Sequence, residues 1–178
     1  MKRINKNKGI LFWITGLSGS GKTTIGNSIK NDINKIYGPT IMVSGDNIRK
    51  IFKLKGYEHK ERLTITNKYC HLAKYITEQK INVIFAVVGM FKESRKWNRS
   101  NIDNYVEIYI KSNIKTILRV GKKKIYNKRN PGKFTGIEIK AEYPKNPDIT
   151  ISNKFNSPMD RMAKLLMGKI NKLLNEKK

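Results

Sequence analysis

The sequence predicts an α/β fold, a doubly wound parallel sheet with helices on both faces. Two observations carry this. Short, continuously apolar runs alternate with longer stretches whose apolar residues recur every three or four positions. The first pattern belongs to strands buried on both sides and the second to helices packed on them. The runs also stop at glycine or small polar clusters, as strands do at a sheet edge.

The elements follow in order. Gly9–Thr15 reads as a buried strand ending at Gly16, and Ser20–Tyr37 as a helix with Ile25, Ile29, Ile33 and Ile36 along its inner stripe. Thr40–Val43 is a short strand that closes on Ser44-Gly45-Asp46-Asn47. Glu61–Lys80 is helical along Ile65, Tyr69, Leu72 and Ile76, and Val83–Val88 and Tyr105–Ile110 are further buried strands. Ile114–Lys128 reads as a basic helix, Lys133–Pro147 as a loop and Ile149–Ile151 as a last short strand. Pro158–Leu174 is a closing helix; its stripe of Met162, Leu165, Leu166, Ile170, Leu173 and Leu174 packs on the chain's own core or across a homodimer. No repeat is present, and 178 residues predict one domain over 1–178.

With 38 Lys+Arg against 13 Asp+Glu the formal net charge is +25. A hydrophobic content of 38% excludes a disordered basic tail. Such a charge raises nucleic acid or an anionic membrane surface as partner. Only eight of the 38 basic residues are Arg, however, and phosphate and base readers lean on the planar guanidinium fork. The abundant Lys, Asn and Ile are what AT-rich codons encode, so nucleic acid is disfavoured. Residues 111–145 are the most basic segment, with 11 basic and 2 acidic side chains.

Cys70 is the only cysteine, which excludes an internal disulfide; its place in an apolar-periodic run predicts a buried, inert thiol. His59 and His71 are too isolated to indicate a metal site. The apolar run Ile10–Ile14 is too short for a signal peptide or a membrane span, so no membrane partner and a cytoplasmic location are expected.

The chemistry begins at Gly16-Leu-Ser18-Gly19-Ser20-Gly21-Lys22-Thr23, which matches the phosphate-binding loop pattern G-x-x-x-x-G-K-[ST] and is followed by Thr24. Glycines let successive backbone N–H groups converge on phosphate oxygens, and the following helix adds its N-terminal dipole. Lys22 neutralises the β- and γ-phosphates, and the Thr23 hydroxyl is the candidate Mg²⁺ ligand. ATP and Mg²⁺ are therefore the expected cofactors, on a P-loop NTPase-type sheet. No Asn-Lys-x-Asp guanine reader is present, and the apolar run Val83–Val88 ends in Gly89 rather than Asp. A small kinase is the better reading than a GTPase. Asp46 then serves as the candidate base, since the end of the second strand lies at the sheet edge where such folds bind ligands. The bland alternative is that Asp46 caps a helix through Asn47–Phe52.

At Gly16–Thr24 and Ser44-Gly-Asp-Asn-Ile-Arg49 the chain resembles the adenylylsulfate kinase family, and the likeness continues at Gly56-Tyr57, Glu61-Arg62, Lys123-Lys-Ile-Tyr126 and Phe134-Thr-Gly-Ile-Glu138. It ends at Pro144-Lys-Asn-Pro147-Asp148, so it spans roughly residues 8–152. The resemblance implies γ-phosphate transfer from ATP to the 3′-hydroxyl of adenylyl sulfate, with Asp46 as base. It implies that Arg49 and Arg62 hold the anionic 5′ part of the acceptor and that Tyr57 and Phe134 clamp its base. Phe91, Thr135 and Gly136 join that acceptor site by the same likeness. Lys123 belongs to a lid over residues 119–136, with Arg119 reaching ATP.

The departures from the family pattern gather in the acceptor half. Ile65 and Asn67 stand where the family carries Asn and Arg, and Gly89-Met90-Phe91-Lys92 replaces Ser-Pro-Tyr-Arg. In the lid, Val120-Gly-Lys-Lys-Lys-Ile-Tyr126 replaces Arg-Asp-Pro-Lys-Gly-Leu-Tyr. Losing hydrogen-bonding residues that face a substrate is costly unless the substrate has changed. A relative of the family phosphorylates the 3′-hydroxyl of cytidine diphosphoramidate in capsule modification, and this is the alternative acceptor. A nucleotide-binding module with RNA affinity is the non-enzyme alternative; Lys22, Thr23, Asp46 and Arg49 together speak against it.

Overall fold

The computed structural model describes residues 3–56, 58–120, 135–137 and 139–176. Five strands form one parallel sheet: β1 (Ile10–Thr15), β2 (Thr40–Ser44), β3 (Asn82–Ala86), β4 (Asn104–Lys111) and β5 (Ile149–Ser152). Their spatial order is β2-β3-β1-β4-β5. The first strand is thus central, pairing Phe12 with Ile84 on one side and Val106 on the other. The chain leaves β1 to build β2 and β3 on one flank, then crosses back to build β4 and β5. That reversal opens a crevice at the carboxyl ends of the strands.

The helices are α1 (Lys22–Tyr37), α2 (Gly45–Ile51), α3 (His59–Glu78), α4 (Lys92–Asn101), α5 (Ile114–Arg119) and α6 (Met159–Asn175). Alternation along β1 divides the core. Ile10, Phe12 and Ile14 face α1 and α6, against Ile25, Ile29, Ile33, Leu166 and Ile170. Leu11 and Trp13 face the other way, against Ile65, Tyr69 and Ala73 of α3. Every residue of β1 is buried, which explains why its sequence is apolar throughout.

The expected elements lie within a few residues of their observed bounds, and some stripe positions differ. Ile36 is 55% exposed. Tyr37 takes the inward place in the last turn of α1, packing on the core and donating from its hydroxyl to Asn171 Oδ1 at 2.8 Å. Leu165 is likewise on the solvent side of α6, while Met162, Leu166, Ile170 and Leu174 pack on the chain's own sheet. α4 lies in a stretch with no sequence signal for a helix, because its inward side chains are Ser94, Arg95 and Asn98 rather than aliphatics. Of the expected helix Ile114–Lys128, α5 covers Ile114–Arg119; the remainder lies largely outside the described residues. Among the described residues no helix is long and apolar enough to cross a membrane.

Cys70 is 1% exposed, and burial pushes its thiol up to about 12. The thiolate is the reactive form, so Cys70 is expected to resist iodoacetamide at pH 8 in the native chain and to react on unfolding. Mass spectrometry before and after urea treatment checks this.

Candidate active site

β1 ends at Thr15, whose hydroxyl donates to the Val88 carbonyl and ties the phosphate-binding loop to the end of β3. The loop then turns on glycines. Gly16 has φ 153°, and a Cβ there would stand 2.6 Å from the Ile110 carbonyl oxygen, so this position admits no side chain. Gly21 is the N-cap of α1 in the left-handed region, φ 94°, and brings no side-chain acceptor to the first turn. No acidic residue follows in that turn. A helix N-terminus built this way offers its N–H groups to an external anion. Lys22 is 8% exposed and donates from Nζ to the Leu17 carbonyl at 2.8 Å, which folds the amine back across the loop. Ser20 is buried beneath the loop.

α2 begins directly at the end of β2, with Ser44 at its N-cap and Asp46 in its first turn. Asp46 is therefore not the cap of this helix, and its side chain is exposed on the cleft. Arg49, one turn later, donates from Nη1 to Leu54 O at 3.3 Å and from Nη2 to Gly56 O at 3.0 Å. These two bonds fix the guanidinium plane and pin the loop that leads to α3. Arg49 thus holds the segment between α2 and α3 in addition to bringing charge to the cavity. A capping box between Glu58 and Glu61 starts α3, the helix that carries Arg62. Tyr69 closes the floor of the site by donating from its hydroxyl to Gly45 O at 3.1 Å. Burial pushes that hydroxyl up, Arg49 opposing and Asp46 adding, so it stays a neutral donor beside both charges.

These pieces meet in one cavity of about 280 Å³. Its lining brings the loop residues Ser18, Gly19, Gly21, Lys22, Thr23 and Thr24 together with Asp46, Arg49, Arg62, Phe91 and Thr135. Of the expected site residues, Gly16, Ser20 and Gly136 are not among the lining residues: Ser20 is fully buried within the loop, and Gly136, at φ 97°, lies against Leu17. Arg119 is the exposed last residue of α5 and is not among the lining side chains. Tyr57, Lys123 and Phe134 lie outside the described residues. Sequence reasoning missed Thr66, Tyr69, Phe155 and Met159, which also line the cavity. The sheet-edge rule that found Asp46 applies equally to the segment after β5, where Phe155 and Met159 sit.

Substituting Lys for Arg49 is expected to raise the KM for the acceptor about tenfold while leaving the KM for ATP unchanged. A Lys ammonium keeps the charge but cannot span the Leu54 and Gly56 carbonyls with a planar fork. Steady-state kinetics with each substrate varied in turn checks it.

The adenylylsulphate kinase family model matches residues 8–152. The cytidine diphosphoramidate kinase of Campylobacter jejuni is 30% identical over 168 residues, 93% of this chain and 98% of its own length. The adenylyl-sulfate kinase of Thermodesulfovibrio yellowstonii is 32% identical over 171 residues, 93% of this chain and 86% of its own. The APS kinase of Mycobacterium tuberculosis, solved with AMPPNP and APS, shares the fold with a TM-score of 0.81 at 23% identity, covering 92% of this chain and 98% of that one. The parallel sheet, the glycine loop and the two arginines thus sit in a chain similar to proteins named as kinases. This protein belongs to the adenylylsulphate kinase family.

Proposed function

We propose that this kinase transfers the γ-phosphate of ATP to the ribose 3′-hydroxyl of a small anionic nucleotide, with adenylyl sulfate as the first acceptor to consider. The observation that carries the reading is that Lys22 and Thr23 line one cavity together with Asp46, Arg49 and Arg62. The donor set suits ATP: an uncapped, acid-free helix N-terminus and a buried lysine amine are matched to a triphosphate. Among the described residues no group of three His, Cys, Asp or Glu could hold a metal ion. Thr23 is the residue that would hold Mg²⁺, which takes most of its remaining ligands from phosphate and water. When bound, Mg²⁺ neutralises charge on the β- and γ-phosphate oxygens.

Lys22 draws off charge as the bond between the γ-phosphorus and the β–γ bridging oxygen breaks, and that electron pair leaves with ADP. Asp46 orients the 3′-hydroxyl and takes its proton as the new oxygen–phosphorus bond forms. Arg49 and Arg62 hold the acceptor's anionic tail, and Tyr57 and Phe134 clamp its base. The family resemblance assigns the segment 119–136, most of it outside the described residues, to a lid that excludes water.

One observation favours cytidine diphosphoramidate as a second reading. Gly89 has φ 43°, and a Cβ there would stand 2.9 Å from Val87 Cγ1 and 3.1 Å from Trp13 Cζ2. The serine of the family pattern does not fit this backbone, and Ile65 brings an aliphatic side chain to the same cleft. These departures from the family pattern suit an acceptor other than adenylyl sulfate.

The test is an acceptor screen with ATP: adenylyl sulfate, cytidine diphosphoramidate and plain nucleoside diphosphates, each followed by phosphorus NMR of the product. ADP release that depends on one acceptor and phosphate on its 3′-oxygen are expected. Phosphate found elsewhere on the acceptor, or ATP binding without transfer to any of them, would sink the reading.

A further inference from the structure

Asn153 follows β5 directly and is 3% exposed. Its backbone is held at the end of β4: its N–H donates to Lys111 O at 2.8 Å, and its carbonyl accepts from Ser112 Oγ at 3.1 Å. Both ends of its side-chain amide are engaged. Nδ2 donates to Ser20 O at 3.0 Å, 133 residues away in sequence, and Oδ1 accepts from Phe155 N–H at 2.9 Å. Because one end donates and the other accepts, a flipped amide would lose both bonds.

The partner at Ser20 is what gives this contact a functional consequence. The Ser20 carbonyl and the Gly21 N–H belong to one planar trans peptide, so they point in opposite directions. Holding the carbonyl back toward Asn153 aims the Gly21 N–H the other way, and Gly21 lines the cavity. Asn153 Nδ2 also lies 3.1 Å from where a Cβ on Gly21 would stand, so loop and amide are packed without a gap. At its other end the amide fixes Phe155, a bulky residue at φ 59° whose side chain lines the same cavity. A non-glycine residue holds that conformation only where its surroundings over-determine it.

We infer that Asn153 is a positioning residue for the triphosphate of ATP, acting through the Ser20–Gly21 peptide and the Phe155 wall. It touches neither reacting atom. Its effect belongs to ATP binding rather than to acceptor binding or the transfer step. This rests on the reading of the cleft as the ATP site.

Asn153→Ala and Asn153→Asp test it, with Ser112→Ala as control. Asp keeps the shape and the acceptor for Phe155 N–H but cannot donate to Ser20 O. Both Asn153 variants are expected to weaken ATP binding by calorimetry, and to raise the KM for ATP, about tenfold. The turnover number and the KM for the acceptor should stay within about twofold. Ser112→Ala, which leaves the amide pair intact, should keep its ATP affinity. Asn153→Asp decides the matter if Asn153→Ala does not fold. Unchanged ATP affinity in Asn153→Asp overturns the inference, as does an equal loss in Ser112→Ala or a parallel loss in every kinetic constant. Failure of the unsubstituted chain to bind ATP would instead overturn the reading of the cleft.

Discussion

Asp46→Asn is expected to lower the turnover number by about 10²–10⁴ while leaving ATP affinity within about threefold. Asn has the shape of Asp and disturbs neither Ser44 at the N-cap of α2 nor Tyr69 beneath Gly45. In the proposed reaction ATP is held through the loop and Lys22, so its binding energy does not pass through Asp46. What the substitution removes is a negative charge and a proton acceptor at the 3′-hydroxyl. At 1.36 kcal/mol per tenfold, the expected loss is about 3–5 kcal/mol. A lost hydrogen bond to a charged group accounts for about 1.5–3 kcal/mol of this. The remainder measures proton transfer itself. Rapid-quench measurement of a single turnover, beside calorimetry with ATP, separates the two quantities. Full turnover in the variant would remove Asp46 from the reaction; a large loss of ATP affinity would make it part of the nucleotide wall.

The phosphate-loop side of this site was legible in sequence because its chemistry is local. Eight consecutive residues bring the glycines, the lysine and the hydroxyl, and the buried strand before them is apolar on both faces. Asp46 was legible for a topological reason, the carboxyl edge of the sheet. The same rule reaches the segment after β5, yet Phe155 and Met159 carry no pattern that marks them. Phe155 depends on a positive φ and on Asn153, whose side-chain amide donates a hydrogen bond to a loop 133 residues earlier. Arg49 was identified as an anion holder; its bonds to Leu54 O and Gly56 O depend on a turn that sequence does not display. α4 escaped for a different reason. Its buried face is polar, so hydrophobic periodicity carries no signal there, and its partner Glu107 hides within the run Tyr105–Ile110, whose other residues are apolar or aromatic.

That partnership sets the largest stability effect. Glu107 is 5% exposed on β4, opposite Trp13 of β1. Its Oε1 lies 3.2 Å from Arg95 Nε, and its Oε2 lies 3.2 Å from Arg99 Nη2. Arg99 also reaches Asp148 at 2.9 Å, and the Glu107 N–H donates to Asp148 Oδ2 at 2.8 Å. The network ties α4 to β4 and to the entry of β5. Arg95 itself is only 7% exposed, so Glu107→Ala would leave a buried guanidinium uncompensated. Breaking such a pair costs about 3–5 kcal/mol, whereas replacing both partners by apolar side chains is often neutral. Glu107→Ala is therefore expected to lower the Tm by roughly 6–20 °C, and Glu107→Leu with Arg95→Met to recover most of it. Burial pushes the Glu107 carboxyl up, and Arg95 and Arg99 offset only part of that shift. The folded chain thus keeps this proton to higher pH than the unfolded chain does. Through this group, stability falls as pH rises from the ordinary carboxylate value through the raised one. Glu107→Gln cannot titrate. The stability of the native sequence relative to Glu107→Gln should accordingly decline across that window, as urea unfolding at a series of pH values would measure. A rise instead would mean that pairing with Arg95 and Arg99 outweighs burial. Equal losses in Glu107→Ala and in the double variant would mean that packing, not the stranded Arg95 charge, sets the stability here.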